Sequence, residues 1–310
     1  MASTHHLDAK EVHRAWDNAL SPRVEIDPGD TVVFDTRDAA DRYYSRASTH
    51  DDVMARGPFR GHPLTGPVRV RGARPGDVLV VDIVEVRPGA DFGWTAIRPG
   101  RGLLPIDDFP KPYLQIWDLT DGTHARAGAH IAVPIEAFAG VMGVALDAPG
   151  EHSTMPPRKN GGNMDIRQLT AGTRLFLPVL VEGALFSVGD AHGAQGDGEV
   201  CITAVEMDAR VTLRFGVETG RVVQEPRFRT PGTPGGARGP CFVTTAHGPD
   251  LFASSQQAIR YMIEHLVTER GLSREQAYVL SSVCVDLHIS EIVDAPNWIV
   301  SAFLPESVFV

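Results

Sequence analysis

From Val24 to about Val217 the chain alternates apolar and polar positions in short runs, which Gly, Pro and Asp interrupt before a helix of useful length could form. Residues 30–35, 68–71 and 77–86 are rich in β-branched side chains, which suit a pleated, half-buried surface. Two matching turns, Asp27-Pro28-Gly29-Asp30 and Arg74-Pro75-Gly76-Asp77, lead into strands in the same way. The pattern resumes at 131–134, 140–146, 174–181, 184–188 and 199–215, and helical spacing is hinted at only near the amino terminus. Many short strands of this kind predict a mainly-β fold, a jelly-roll-like β-sandwich over residues 1–218.

Residues 219–239 are crowded with Pro, Gly and Arg, including Thr230-Pro231-Gly232-Thr233-Pro234-Gly235-Gly236. Such a stretch predicts a surface linker or flap over 219–240 and no regular ladder. The period then changes. Residues 254–270 place Ala258, Tyr261, Met262, His265 and Leu266 on one helical face, with Gly271 as terminator. Ser273-Arg274-Glu275-Gln276 has the form of a capping box and opens a second helix to about Ser282. Residues 286–294 and 298–303 return to strand-like alternation, so 241–310 reads as a C-terminal α/β extension packed on the sandwich, with a composition that does not force a separate domain.

At 310 residues with 43% hydrophobic content the chain can bury a large core. A net charge of -10 without any basic run argues against a nucleic-acid partner. The longest apolar stretch, 175–188, is broken by Pro178, Glu182 and Gly183 and is too short for a bilayer. The first residues lack the basic and apolar regions of a secretory signal, which predicts a cytoplasmic protein. Cys201, Cys241 and Cys284 are far apart and predict buried structural thiols in a reducing compartment.

Candidate chemistry gathers in two stretches, Gly161-Gly162-Asn163-Met164-Asp165-Ile166-Arg167 and Gly189 to Glu199. On a strand running into a loop, Asp190 and His192 are two apart and project to one side. Four glycines between 189 and 198 let the chain turn back and bring Glu199, at the start of the next strand, toward them. Mixed oxygen and nitrogen ligation of this kind suits Zn²⁺ with an open position, and the same donors tolerate Mn²⁺ or Ca²⁺. The alternative is a plain β-connection in which Asp190 accepts backbone N–H groups, His192 is solvated, and Asn163 and Asp165 only fix a turn. Asp35 and Asp38 either add a carboxylate or merely end a strand. His50 and His62, in a loop-rich segment, are further candidates, whereas His265 and His288 read as packed or solvated. There is no His-Glu-x-x-His helix, Gly-x-Ser-x-Gly elbow, phosphate loop or Ser-x-x-Lys nucleophile.

The run from Gly161 to Arg167, with Leu177-Pro178-Val179, Gly183 to His192 and Gln195 to Cys201, resembles the acetamidase/formamidase family. Trp16-Asp17-Asn18, Leu64-Thr65-Gly66-Pro67, Asp286 to Ser290 and Val293-Asp294 extend the similarity over nearly the whole chain. The resemblance implies hydrolysis of a small linear carboxamide to carboxylate and ammonia by a homo-oligomer, dimer or higher. Asp190 and His192, with Asp38, would hold the cation. Glu199 would relay the proton, Asp165 is the alternative carrier, and Asn163 or a loop N–H would meet the oxyanion. A small cyclic amide (γ-lactam) is the alternative substrate, and a non-catalytic metabolite-binding sandwich the alternative function. Asp41-Arg42-Tyr43-Tyr44-Ser45-Arg46 is bulkier than the family's small-residue loop; if it borders the site, it either narrows it or accepts a polar group beyond the amide.

Overall fold

The alternating runs do form strands. In Thr31–Thr36 every second residue is buried, so Val32 and Phe34 enter the core. A computed structural model describes residues 2–232 and 239–309. Its nine-stranded sheet runs in the order Thr4–Leu7, Thr31–Thr36, Ala209–Glu218, Val78–Pro88, Arg174–Pro178, Arg227–Thr230, Cys241–Gly248, Trp298–Pro305 and Asp286–Glu291. The second sheet follows Ile131–Pro134, His124–Ala127, Tyr113–Asp118, Phe92–Ile97, Glu206–Met207, Phe186–His192, Phe138–Gly143 and Gly161–Asn163, and Leu64–Val70 adds to it beside Phe186–His192. The main core lies between them. Phe34 and Phe215 from the first sheet meet Phe186 of the second, with ring centroids 6.2 and 5.1 Å apart.

Both predicted Pro-Gly turns form. Gly29 and Gly76 take φ of 102° and 95°, a region an L side chain rarely adopts, and Asp30 and Asp77 donate back to Asp27 and Arg74 at 3.0 and 2.9 Å. The helices are Leu251–Arg270, ended by Gly271 at φ 66°, and Arg274–Cys284, opened by the Ser273/Gln276 capping box. The carboxy-terminal strands continue the nine-stranded sheet. Val243, Ile299 and Phe303 face the main core, while Phe242, Val300, Ala302 and Leu304 face a second core under the helices. Apolar residues on both faces are what a sheet sandwiched between two layers requires.

Several expectations need correction. Residues 199–215 do not form one strand: Glu199 and Ile202 have φ of 45° and 67°, which breaks any ladder, and pairing starts at Glu206–Met207. Within the predicted flap, Arg227–Thr230 is a strand between two neighbours, because Phe228 is fully buried in the core. Residues 233–238 of that flap lie outside the described residues. The amino terminus is extended, Thr4–Leu7 running parallel to Thr31–Thr36. Cys241 is buried, but Cys201 and Cys284 are only partly so, and no disulfide joins them among the described residues. Also among the described residues, no helix is long and apolar enough to cross a membrane.

Candidate active site

The strand Phe186–His192 carries two of the predicted residues. His192 pairs directly with Glu206 on one neighbouring strand, which sets Glu206 Oε2 3.3 Å from His192 Nε2. Asp190 Oδ1 lies 3.6 Å from the same nitrogen. On the other side, Phe138–Gly143 pairs with the strand, and beyond it Val141 pairs with Asn163. The backbone of Met164 and Asp165 donates to the Gly140 carbonyl at 3.0 and 3.2 Å, turning the Asp165 carboxylate into the space that a side chain at position 140 would fill. Glu199 enters from the glycine-rich loop, held by Gly198 donating to the Ser290 carbonyl at 3.0 Å. Asp294 enters from the far carboxy terminus, its N–H and that of Val293 both donated to the Glu291 carboxylate.

Asn163, Asp165, Asp190, Glu199, Glu206 and Asp294 line one cavity of about 700 Å³, with His62 in its wall 3.7 Å from Asp190. Asp165, Asp190 and His192 form one group in which the ligand atoms lie within 4.8 Å of one another; His192, Glu199 and Glu206 form a second, and Asp165, Glu199 and Asp294 a third. All are buried. Asp165, Asp190 and Glu199 adopt φ of 46°, 54° and 45°, a left-handed conformation that costs energy in non-glycine residues and is found mainly where function demands it.

Five carboxyl groups against two imidazoles cannot all be ionised in a buried site. Burial and the neighbouring Asp165 push Glu199 well up, and burial with Asp165, Glu291 and Glu199 does the same to Asp294. Burial also raises Asp165 and carries Glu206 to about 7. For Asp190 burial is outweighed by His62 and His192, which hold it below the usual range. His192 itself is disfavoured as a cation by burial, yet Glu206 and Asp190 raise it well above an ordinary imidazole. Both oxygens of Asp165, Asp190 Oδ1, Glu206 Oε2 and His192 Nε2 are buried without a hydrogen-bond partner among the described residues. The site could therefore hold a metal ion as well as protons.

The structure thus brings together Asn163, Asp165, Asp190, His192, Glu199 and His62. It does not bring Asp38 into any of the three groups: its oxygens accept the backbone N–H of Ala40 and Arg42, at 2.7 and 3.1 Å, so it caps a turn. Asp35 is bonded to His6 and Arg210, and His50 accepts the Leu114 N–H and stacks on Tyr113. Sequence reasoning missed Glu206 and Asp294 as site residues. The trace of Glu206 was a lone acid in an apolar run, Ala204-Val205-Glu206-Met207. In the bulky loop, Tyr44 lines the cavity, while Arg42 and Arg46 are engaged with Asp208 and with Asp91 and Asp118.

A two-sheet scaffold that gathers buried carboxyl groups around a buried imidazole is a site equipped for acid–base chemistry. Residues 2–152 and 148–310 match the Acetamidase/Formamidase family, and the chain belongs to it. It is accordingly a hydrolase of carbon–nitrogen bonds in linear amides. The chain is 30% identical to the formamidase of Methylophilus methylotrophus over 96% of this chain and 89% of that one. It superposes on the acetamidase of Bacillus halodurans with a TM-score of 0.88 at 30% identity, covering 98% of each chain. A γ-lactamase from Delftia acidovorans is a more distant likeness, with a TM-score of 0.69 at 26% identity over 99% of this chain and 93% of that one.

Proposed function

We propose that the protein cleaves a short carboxamide of the formamide or acetamide kind to carboxylate and ammonia, with a divalent cation, Zn²⁺, held by Asp190, His192 and Glu206. The observation that carries this reading is the set of buried, unpartnered atoms converging from neighbouring strands. Two ligands about 2.0–2.2 Å from one tetrahedral ion stand about 3.3–3.6 Å apart, and His192 Nε2 has Glu206 and Asp190 oxygens at 3.3 and 3.6 Å. A cation in that position supplies Lewis-acid polarisation of the amide carbonyl and acidifies a water toward neutrality.

The remaining residues move protons and orient the substrate. Glu199, whose proton affinity burial and Asp165 push well up, delivers a proton to the departing nitrogen, which cannot leave as an anion. Asp165, which belongs to groups on both sides of the site, accepts the proton released by water. Asn163 donates one amide N–H to Asp294, leaving its second for the carbonyl oxygen. Exposed Phe252, Tyr278, Val279 and Val283 on the two helices support a homo-oligomer, and the net charge and thiols a cytoplasmic location.

Ammonia release from formamide, acetamide and propionamide, with ring opening of a γ-lactam followed separately, tests the reading on untreated, chelated and Zn²⁺-restored protein. Turnover removed by chelation and restored by Zn²⁺ is expected. No turnover of any amide by folded, metal-loaded protein would sink it.

A further inference from the structure

The cavity is far larger than the smallest amides need. At about 30 Å³ per water-sized group, acetamide occupies on the order of 100 Å³, against a cavity of about 700 Å³. The surplus is charged. Arg56, Arg98, Arg101 and Arg158 line the same cavity as the acids, and among the described residues none of them has a carboxylate within ion-pair distance. Arg56 donates to the Ala39 carbonyl at 2.7 Å, Arg98 to the Gly57 carbonyl at 2.7 Å, and Arg158 to the carbonyls of Ser153 and Pro156 at 2.7 and 3.1 Å. Arg101 is exposed and its guanidinium has no hydrogen-bond partner among the described residues.

Several arginines elsewhere are paired with carboxylates. Arg23 sits on Asp8, Arg37 on Asp41 and Arg210 on Asp35. A guanidinium has five donors in a planar fork, so each arginine of the cavity keeps most of its donors unused. Burial already pushes Arg158 below its ordinary range, a cost that a bound anion would offset. Burial also orders the groups by depth: the acids and His192 are buried, three of the arginines are half-buried and Arg101 is exposed. In a chain of net charge -10, four cationic side chains around one opening form a local attraction for an anion that the rest of the surface repels.

We infer that the physiological substrate is a primary amide with an anionic group at its other end, a monoamide of a short dicarboxylic acid, whose carboxylate rests on these arginines while its amide reaches the acids below. This rests on the amide-hydrolase reading of the same site. The reaction balances as plain hydrolysis: water oxygen bonds to the amide carbon, the C–N bond breaks, both protons of the water end on nitrogen, which leaves as ammonium, and the product is a dicarboxylate.

The test compares kcat/KM for succinamate with butyramide, which has the same carbon chain, and with 4-methylvaleramide, its neutral isostere, using the metal-loaded protein. Succinamate is expected to be preferred at least about tenfold, the effect of one charge-assisted hydrogen bond, with the preference falling as ionic strength rises. Arg98→Gln and Arg101→Gln should each lower kcat/KM for succinamate, through KM, several-fold more than for butyramide. Arg60→Gln, an exposed arginine outside the cavity lining, should not change the ratio. Succinate should inhibit butyramide hydrolysis competitively, and less so in the two variants. Neutral amides turned over as well as succinamate, or arginine variants that change all substrates alike, would overturn the inference and leave the amidohydrolase reading standing. No turnover of any amide would overturn both.

Discussion

His192 donates from Nδ1 to the side-chain oxygen of Gln195 at 2.9 Å, and the Gln195 amide nitrogen donates in turn to the Asp165 carbonyl at 2.7 Å. The second bond fixes which end of the Gln195 amide faces the imidazole, because a carbonyl can only accept. A proton is thereby kept on Nδ1, and Nε2 is the ring nitrogen turned toward Asp190 and Glu206, where a cation would take the place of a second proton. Gln195→Leu is expected to lower affinity for Zn²⁺ on the order of 10- to 100-fold, as loss of a partner behind a ligating histidine does. Titration against a chelating indicator measures it, and unchanged affinity would show that the imidazole needs no such anchor.

Glu199 is held in the cavity by its loop at φ 45°, with a carboxyl that burial and Asp165 push well above the usual carboxylate range. Glu199→Gln preserves shape and removes the transferable proton, so kcat should fall about 10²–10⁴-fold while metal content stays near that of the parent. Metal analysis alongside ammonia release separates this outcome from loss of the site. Near-normal turnover would remove Glu199 from the mechanism.

Gly140 is needed for what it lacks. A Cβ there would collide with the Asp165 carboxylate and stand 2.9 Å from His192 Cε1 and 3.0 Å from the Asp190 carbonyl oxygen. Because backbone and two site residues crowd the position, Gly140→Ala should destabilise the fold by about 1–3 kcal/mol and abolish activity. Thermal unfolding and ammonia release read the two effects, and a variant with parental values of both would refute the close approach.

His265 is stacked on Phe242 with centroids 3.6 Å apart, and burial, followed by Arg227, Arg221, Arg229 and Arg270, pushes it down to about 3. In the unfolded chain it takes a proton near 6.5, so between these values unfolding binds a proton and folding is weakened. Its contribution is complete above pH 6.5 and is lost progressively as pH falls toward 3. Denaturant unfolding across this range should show the parent losing stability more steeply than His265→Gln; parallel pH profiles would contradict the neutral, buried state.

The sheet elements were readable wherever one rule dominated. At residues 131–134 the strand bounds are reproduced, and the helix ending at Gly271 and the Ser273 capping box appear as read. These features depend on period and on local caps, which neighbours in the chain settle. Reading failed where packing overruled composition: Arg227–Thr230 lies in a Pro/Gly-rich stretch yet is a strand because Phe228 has a place in the core. Asp38 was an equally local candidate, but its own backbone turn took up its oxygens.

By itself the sequence determined the mainly-β class, the family, and the pairing of Asp190 with His192, because two residues of one strand keep their spacing in any fold of that strand. Only the tertiary structure decided that Glu206 faces His192 across a ladder, that Asp294 and Glu199 meet Asp165 with oxygens within 4.8 Å, and that four arginines without carboxylate partners among the described residues line the same cavity. Those relations join residues far apart in the chain, and sheet register, which no local pattern encodes, is what places them within a few ångströms.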